Sequence, residues 1–149
     1  MYMKIAIGCD HGGFEMKEEL KQRLTADGYE VIDCGIEMKK EVDYPDIAKV
    51  VADGIRMKNY DCGILVCGTG IGMSIAANKI DGIRAALITD TFSARMAKEH
   101  NNANIVTLGA RIIGIELAYE VIKAYLLAEF LGGKHQVRVE KLMKFEKIS

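Results

Sequence analysis

Five short apolar segments, each followed by a stretch of helical period, run through this chain from end to end, and that alternation constrains the fold more than any other feature. Lys4 to Gly8 (KIAIG) is β-branched and stopped by glycine. Phe14 to Asp27 follows with Phe14, Leu20 and Leu24 near helical spacing, until Gly28 ends it. Glu30 to Cys34 reads as a second strand. Pro45, suited to a first helical turn, opens a helix to about Met57 with Ile47, Val50, Val51 and Ile55 on its apolar face. Cys62 to Cys67 is the third strand, followed by a glycine-rich turn and a helix to about Asn78. Arg84 to Ile88 and Asn104 to Leu108 are strands four and five, separated by a helix from Thr91 to about His100. Gly114 to Phe130 is the longest helix, Gly132-Gly133 breaks it, and a last helix covers about Gln136 to Ile148.

Strands separated by helices need crossover connections, and these produce a parallel sheet covered on both faces. The expected fold is therefore one α/β domain over residues 1–149. It is a three-layer Rossmann-like sandwich with a five-stranded parallel sheet in the order 2-1-3-4-5 and an added C-terminal helix. At 16.4 kDa such a chain exposes about 7,500 Å² folded against about 24,000 Å² extended, enough for a core without staples or metal.

Charge narrows the partners. Twenty Lys and Arg against 21 Asp and Glu leave a net charge of -1, which supplies no electrostatic footprint for nucleic acid. No apolar run approaches the roughly 18 residues of a membrane span, so a cytoplasmic protein is expected. Four cysteines without a CxxC pair fit neither a disulfide framework nor a zinc site, and no HxxxH pattern occurs. Neither metal nor cofactor is expected.

Open sheets of this kind bind ligands beyond the carboxyl ends of their strands, where strand order reverses. That rule selects Cys9-Asp10-His11-Gly12-Gly13 after strand one, Cys67-Gly68-Thr69-Gly70 after strand three and Gly109-Ala110-Arg111 after strand five. The strongest local feature is Cys67-Gly68-Thr69-Gly70-Ile71-Gly72, whose alternating glycines and following helix N-terminus form a pocket suited to an oxyanion. It is not a dinucleotide fingerprint, since the third glycine falls one position early and Met73 stands where it belongs. Asp90 nevertheless imitates a ribose-binding acid.

The individual side chains each allow two readings. Cys67, at the end of a strand and the start of a helix, is either a general base favoured as thiolate by the helix dipole or a small buried hydrophobe. Cys34 and Cys62 read as core. Cys9 reads as core too, yet its position beside Cys67 raises a reversible oxidation that pairs the two. Asp10-His11 offers a carboxylate and an imidazole together, and His100 falls at a helix end; either histidine could equally be a core residue. Arg111 and the basic tail around Lys134 and Arg138 are either a phosphate clamp or a solvated face.

Taken together, GCDHGG at 8–13, DYPD at 43–46, CGTGIGMSIAANK at 67–79, GIRA at 82–85, HNNAN at 100–104, LGAR at 108–111 and GGKHQVRVE at 132–140 resemble ribose-5-phosphate isomerase type B, in the right order over nearly the whole chain. The resemblance implies a cofactor-free aldose-ketose isomerase that works through a cis-enediolate. It makes Cys67 the base at C2, with Gly68, Thr69, Gly70, Ile71 and Gly72 holding the enediolate oxygens. It gives ring opening to His100 with Asp10 nearby, the sugar to Tyr44 and Asn101, and the phosphate to His11, Arg111 and Arg138. The family places its tail residues in the partner's site, so a homodimer with shared active sites is implied, with the pairing of dimers into a tetramer left open. Lys134 departs from the pattern of members with arginine there and lacks the bidentate fork. The related galactose-6-phosphate isomerase subunits work as unlike pairs. Here one chain carries every site element, which favours the pentose enzyme over isomerases of allose or galactose 6-phosphate. A non-catalytic nucleotide or phosphometabolite-binding module is the rival from another class.

Overall fold

A computed structural model of the chain describes residues 3–146. The strands are β1 (Lys4–Cys9), β2 (Glu30–Asp33), β3 (Cys62–Cys67), β4 (Ala85–Leu87) and β5 (Ile105–Gly109); the helices are α1 (Phe14–Ala26), α2 (Tyr44–Arg56), α3 (Ile71–Asn78), α4 (Thr91–Glu99), α5 (Ile115–Leu127) and α6 (Lys134–Met143). All four strand pairings are parallel. β3 and β5 are buried along their whole length, as a strand covered on both faces must be. One face packs Ile5, Ile7, Ile64, Val66, Val106 and Leu108 against α1, α4 and α5. The other packs Ala6, Leu65 and Ile105 against α2 and α3.

Local chemistry sets the ends of the helices. Gly28, at φ +99°, lets Gly28 and Tyr29 donate their N–H groups back to Thr25 and Leu24 and so close α1. The Asp90 carboxylate accepts the Ser93 N–H at 2.7 Å and caps α4. The apparent ribose acid is therefore a helix cap. Met73, where a dinucleotide fingerprint needs glycine, is fully buried in the core.

The α/β class, the parallel five-stranded sheet and the three layers match expectation, but the strand order is 2-1-3-5-4. β5 lies between β3 and β4. The reason is burial: β4 is three residues long and leaves Leu87 40% exposed, which suits an edge, whereas β5 has five buried residues and demands an interior place. α5 ends at Leu127 rather than Phe130. α6 begins two residues before the expected Gln136 and ends at Met143; the expected extension to Ile148 falls partly outside the described residues. Among the described residues no helix is long and apolar enough to cross a membrane.

A buried cation fixes the loop after β2. Lys17 is fully buried and donates to Asp33 at 2.8 Å and to the Ile36 carbonyl at 2.6 Å, while Asp33 also takes Lys21 and the Gly35 N–H. Desolvation pushes the Asp33 carboxyl up, but the Lys17 and Lys21 hydrogen bonds outweigh it and hold the group below its ordinary value. The stabilisation is complete above the unfolded value of about 3.9 and is lost as pH falls through the lower folded value. Replacing Asp33 by Asn leaves the buried ammonium with Glu18 and the Ile36 carbonyl. The expected loss at pH 7 is about 3 kcal/mol, read by urea unfolding, together with a flatter acid limb. A change below about 1 kcal/mol would show that Glu18 and the Ile36 carbonyl satisfy the cation without Asp33.

Candidate active site

Cys67 stands at the carboxyl end of β3, directly opposite Gly109 of β5. Its Sγ is buried and accepts the Gly70 N–H at 3.0 Å, a donor that strengthens as negative charge develops on sulfur. Gly70 reaches this position only at φ +79°. A Cβ there would stand 2.7 Å from Leu87 Cδ1 and 2.9 Å from the Leu108 carbonyl carbon, so chirality and space both require glycine. Thr107, one of few buried polar residues, donates its hydroxyl to the Gly70 carbonyl at 2.9 Å and ties the turn to β5. Thr69 Oγ1 accepts the Ile71 N–H at 3.2 Å. The first amides of α3 thus open beside the sulfur.

The other expected residues of this rim converge on the same turn. Asp10 is buried, donates its N–H to the Val66 carbonyl and accepts the Gly12 N–H on Oδ1 at 2.9 Å. Gly12 lies against Gly68, 3.3 Å from its nitrogen to the position of an added Cβ. His11 has a buried Nδ1 with no partner among the described residues. The Arg111 N–H donates to the Gly68 carbonyl at 3.0 Å, and its side chain passes over Gly68. This approach depends on β5 being next to β3, the point on which the expected strand order failed. Tyr44, the first residue of α2, lies across Gly72, where a Cβ would meet its ring at 2.6 Å.

His100 is not near Asp10 within one chain. It follows α4 at the amino end of the sheet, where the Gly63 N–H donates to the Asn104 carbonyl and Ile105 begins β5. Asp10 and Cys67 lie at the carboxyl end, about 17 Å away along the strands. The Leu131 N–H donates to the Glu99 carbonyl and brings α6 to this amino end. There His100, Asn101, His135, Arg138, Val139 and Leu142 line a cavity of about 230 Å³. Lys134 adjoins the same cluster, acting on His135 through its charge. The site residues form two groups: Asp10, His11, Tyr44, Cys67–Gly72 and Arg111 at one end, and His100, Asn101, Lys134 and Arg138 at the other.

His135 was legible only as part of a basic tail, yet its ring stacks on that of His100. The expected oxidation partner fails outright. Cys9 pairs in register with Val66, so Cys67, one residue on, faces the other layer; Cys9 packs beneath α1 and Cys67 beneath α2 and α3. Burial also pushes the Cys9 thiol up, leaving little thiolate to react. Cys62 is core, its thiol pushed up to about 12 by burial.

A family model described as Ribose/Galactose Isomerase matches residues 5–142. Ribose-5-phosphate isomerase B of Escherichia coli is 46% identical over 143 residues, covering 96% of each chain. A D-erythrulose-4-phosphate isomerase of Pectobacterium atrosepticum is also 46% identical, covering 97% of this chain and 95% of that one. Among solved structures, Clostridium thermocellum ribose-5-phosphate isomerase B superposes with a TM-score of 0.94 at 50% identity, covering 96% of this chain and 97% of that one. With the matched segment spanning nearly the whole sequence and the fold shared in full, the chain is an isomerase that belongs to the ribose/galactose isomerase family.

Proposed function

We propose that the protein interconverts ribose 5-phosphate and ribulose 5-phosphate, with Cys67 as the base. The observation that carries this reading is the Gly70 N–H directed at a buried Cys67 sulfur, 3.0 Å away, at the mouth of a helix N-terminus. In the first step the furanose hemiacetal opens: the O1 proton is taken, the ring oxygen is protonated and the C1–O4 bond breaks. His100 and Asp10 supply this acid and base. The Cys67 thiolate then takes the C2 proton, and the electron pair moves into the C1 carbonyl to give the enediolate. With the Gly70 N–H kept on the sulfur, the following amides of Ile71 and Gly72 and the Thr69 hydroxyl hold the enediolate oxygens, donors preorganised where charge develops. Return of the proton to C1, with the O2 proton passing to O1, gives the ketose and regenerates the thiolate. His11, Arg111, Lys134 and Arg138 hold the phosphate.

The separation of the two residue groups supports a homodimer with shared sites, each site taking the Cys67 rim from one chain and the His100 cluster from the other. An apolar surface flanks that rim. Ile71 and Ile75, one turn apart on α3, are more than half exposed, and Leu87 and Phe92 are exposed too. Large apolar side chains gathered around a reactive turn suit burial by a second copy.

The two relatives of equal identity are named for sugar phosphates of different length, one a five-carbon aldose and the other a four-carbon ketose, so sugar length is the property to measure. The assay follows ketose formation on chelator-treated protein with ribose 5-phosphate, erythrose 4-phosphate, allose 6-phosphate and galactose 6-phosphate. Fastest turnover on the pentose is expected, undiminished by chelator. Preference for the four- or six-carbon aldose would move the substrate within the same chemistry. Thermal stabilisation by nucleotides, with silence on every sugar phosphate, would favour a binding module.

A further inference from the structure

His100 follows the last turn of α4 and leads directly into Asn101 and Asn102, the latter at φ +46°. Its N–H still bonds the Met96 carbonyl, but the chain leaves the helix beyond it, so no later turn of α4 flanks the ring. A group that moves protons between two oxygens must nevertheless be held within about 10–20° of its working orientation. The structure supplies a support from α6: the His135 ring lies parallel to that of His100, centroids 4.1 Å apart and planes 10° apart. This support is itself anchored. The Leu131 N–H bond to Glu99 ties the segment before α6 to the end of α4, and Val139, one turn along α6, is buried.

Two imidazoles stack face to face without mutual repulsion when at least one is neutral. Desolvation, with His100, Lys134 and Arg138 adjacent, pushes His135 below its ordinary value, which favours the uncharged ring. A stacked contact occupies a ring face and leaves the in-plane nitrogens clear of the stacking partner. Asn101 and Arg138 border the same cavity as the two rings.

We propose that His135 is a positioning residue: by lying flat on His100 it fixes the plane of that imidazole for furanose ring opening, without itself exchanging a proton or holding substrate. The proposal rests on the ring-opening role given to His100 above. It separates from that role because ring opening occurs only on the aldose side. Ribulose 5-phosphate has its ketone at C2 and its O5 esterified, so it cannot close a five-membered ring. Exchange of its C1 proton with solvent therefore needs the Cys67 chemistry alone.

The experiment compares full-length His135→Ala, His135→Phe, His100→Ala and Cys67→Ser for net conversion of ribose 5-phosphate and for deuterium uptake at C1 of ribulose 5-phosphate in D₂O. His135→Ala is expected to lower kcat for net conversion about tenfold, with KM and deuterium uptake changed by less than about twofold, the cost of a misplaced catalytic group. His135→Phe, which keeps a flat ring and no ionisable group, is expected to restore kcat. Equal loss of uptake and conversion, a raised KM that Phe does not restore, or no loss at all would each overturn the proposal. If His100→Ala shows the split and His135→Ala does not, the positioning role alone falls. If His100→Ala leaves net conversion unchanged, the ring-opening role falls and takes the proposal with it. Persistence of uptake in Cys67→Ser would overturn the assignment of the base on which both rest.

Discussion

Cys67→Ser is expected to lower kcat by about 10²–10⁴-fold, the contribution of a positioned general base, while leaving the fold and phosphate binding in place. The two side chains are nearly isosteric, and a serine oxygen can still accept the Gly70 N–H that now reaches Sγ. What is lost is acidity: a hydroxyl does not give up its proton near neutral pH, so no anion is available to take a proton from carbon. The comparison is kcat and KM for ribose 5-phosphate beside the thermal midpoint. Retention of activity within about tenfold would mean that another group is the base.

Gly109→Ala is expected to cost about 100-fold in turnover although residue 109 carries no reactive group. A Cβ there would stand 2.6 Å from the Thr69 carbonyl carbon and oxygen, backbone against backbone, where no side chain can swing aside. The Cys67–Gly70 turn and the end of β5 must part by several tenths of an ångström or more. That separation carries the turn away from the Thr107 hydroxyl and shifts the amides aimed at the enediolate, and a displacement near 1 Å commonly costs about 100-fold. Overpacking should lower stability by about 1–3 kcal/mol. Unchanged turnover would show that the turn tolerates displacement and does not act as a preorganised cradle.

Most of the carboxyl-end rim was legible in the sequence because it is continuous in the chain: Asp10-His11 and Cys67 to Gly72 each follow a strand with a strong period signal. Strand order was not. RAALI and NIVTL look alike as apolar strings, and what separates them, burial of every residue in β5 against an exposed Leu87 in β4, appears only when the layers close. The distance between His100 and Asp10 was hidden for a related reason. Resemblance reports which residues serve a site and says nothing of which end of one chain each occupies. His135 was missed because a histidine between Lys134 and Arg138 reads as charge, whereas its part depends on a neighbouring ring brought in from α4. The oxidation pair failed on the alternation of side chains along paired strands, where adjacency of backbone does not give adjacency of thiols.

The proposed division of the site, with the carboxyl edge of one chain's sheet facing the amino-edge cluster of its partner, makes complementation decisive. Cys67→Ser and His100→Ala chains, separately purified and inactive or nearly so, are mixed in equal amounts and allowed to exchange subunits. Half of the dimers are then mixed, and each mixed dimer holds one site with both defects and one with none. Activity should rise toward about one quarter of the wild-type value, as two-fold symmetry requires. If mixed dimers form, as mass or tag analysis can establish, and activity stays at the mean of the two parents, then each chain completes its own site and the division proposed here is wrong.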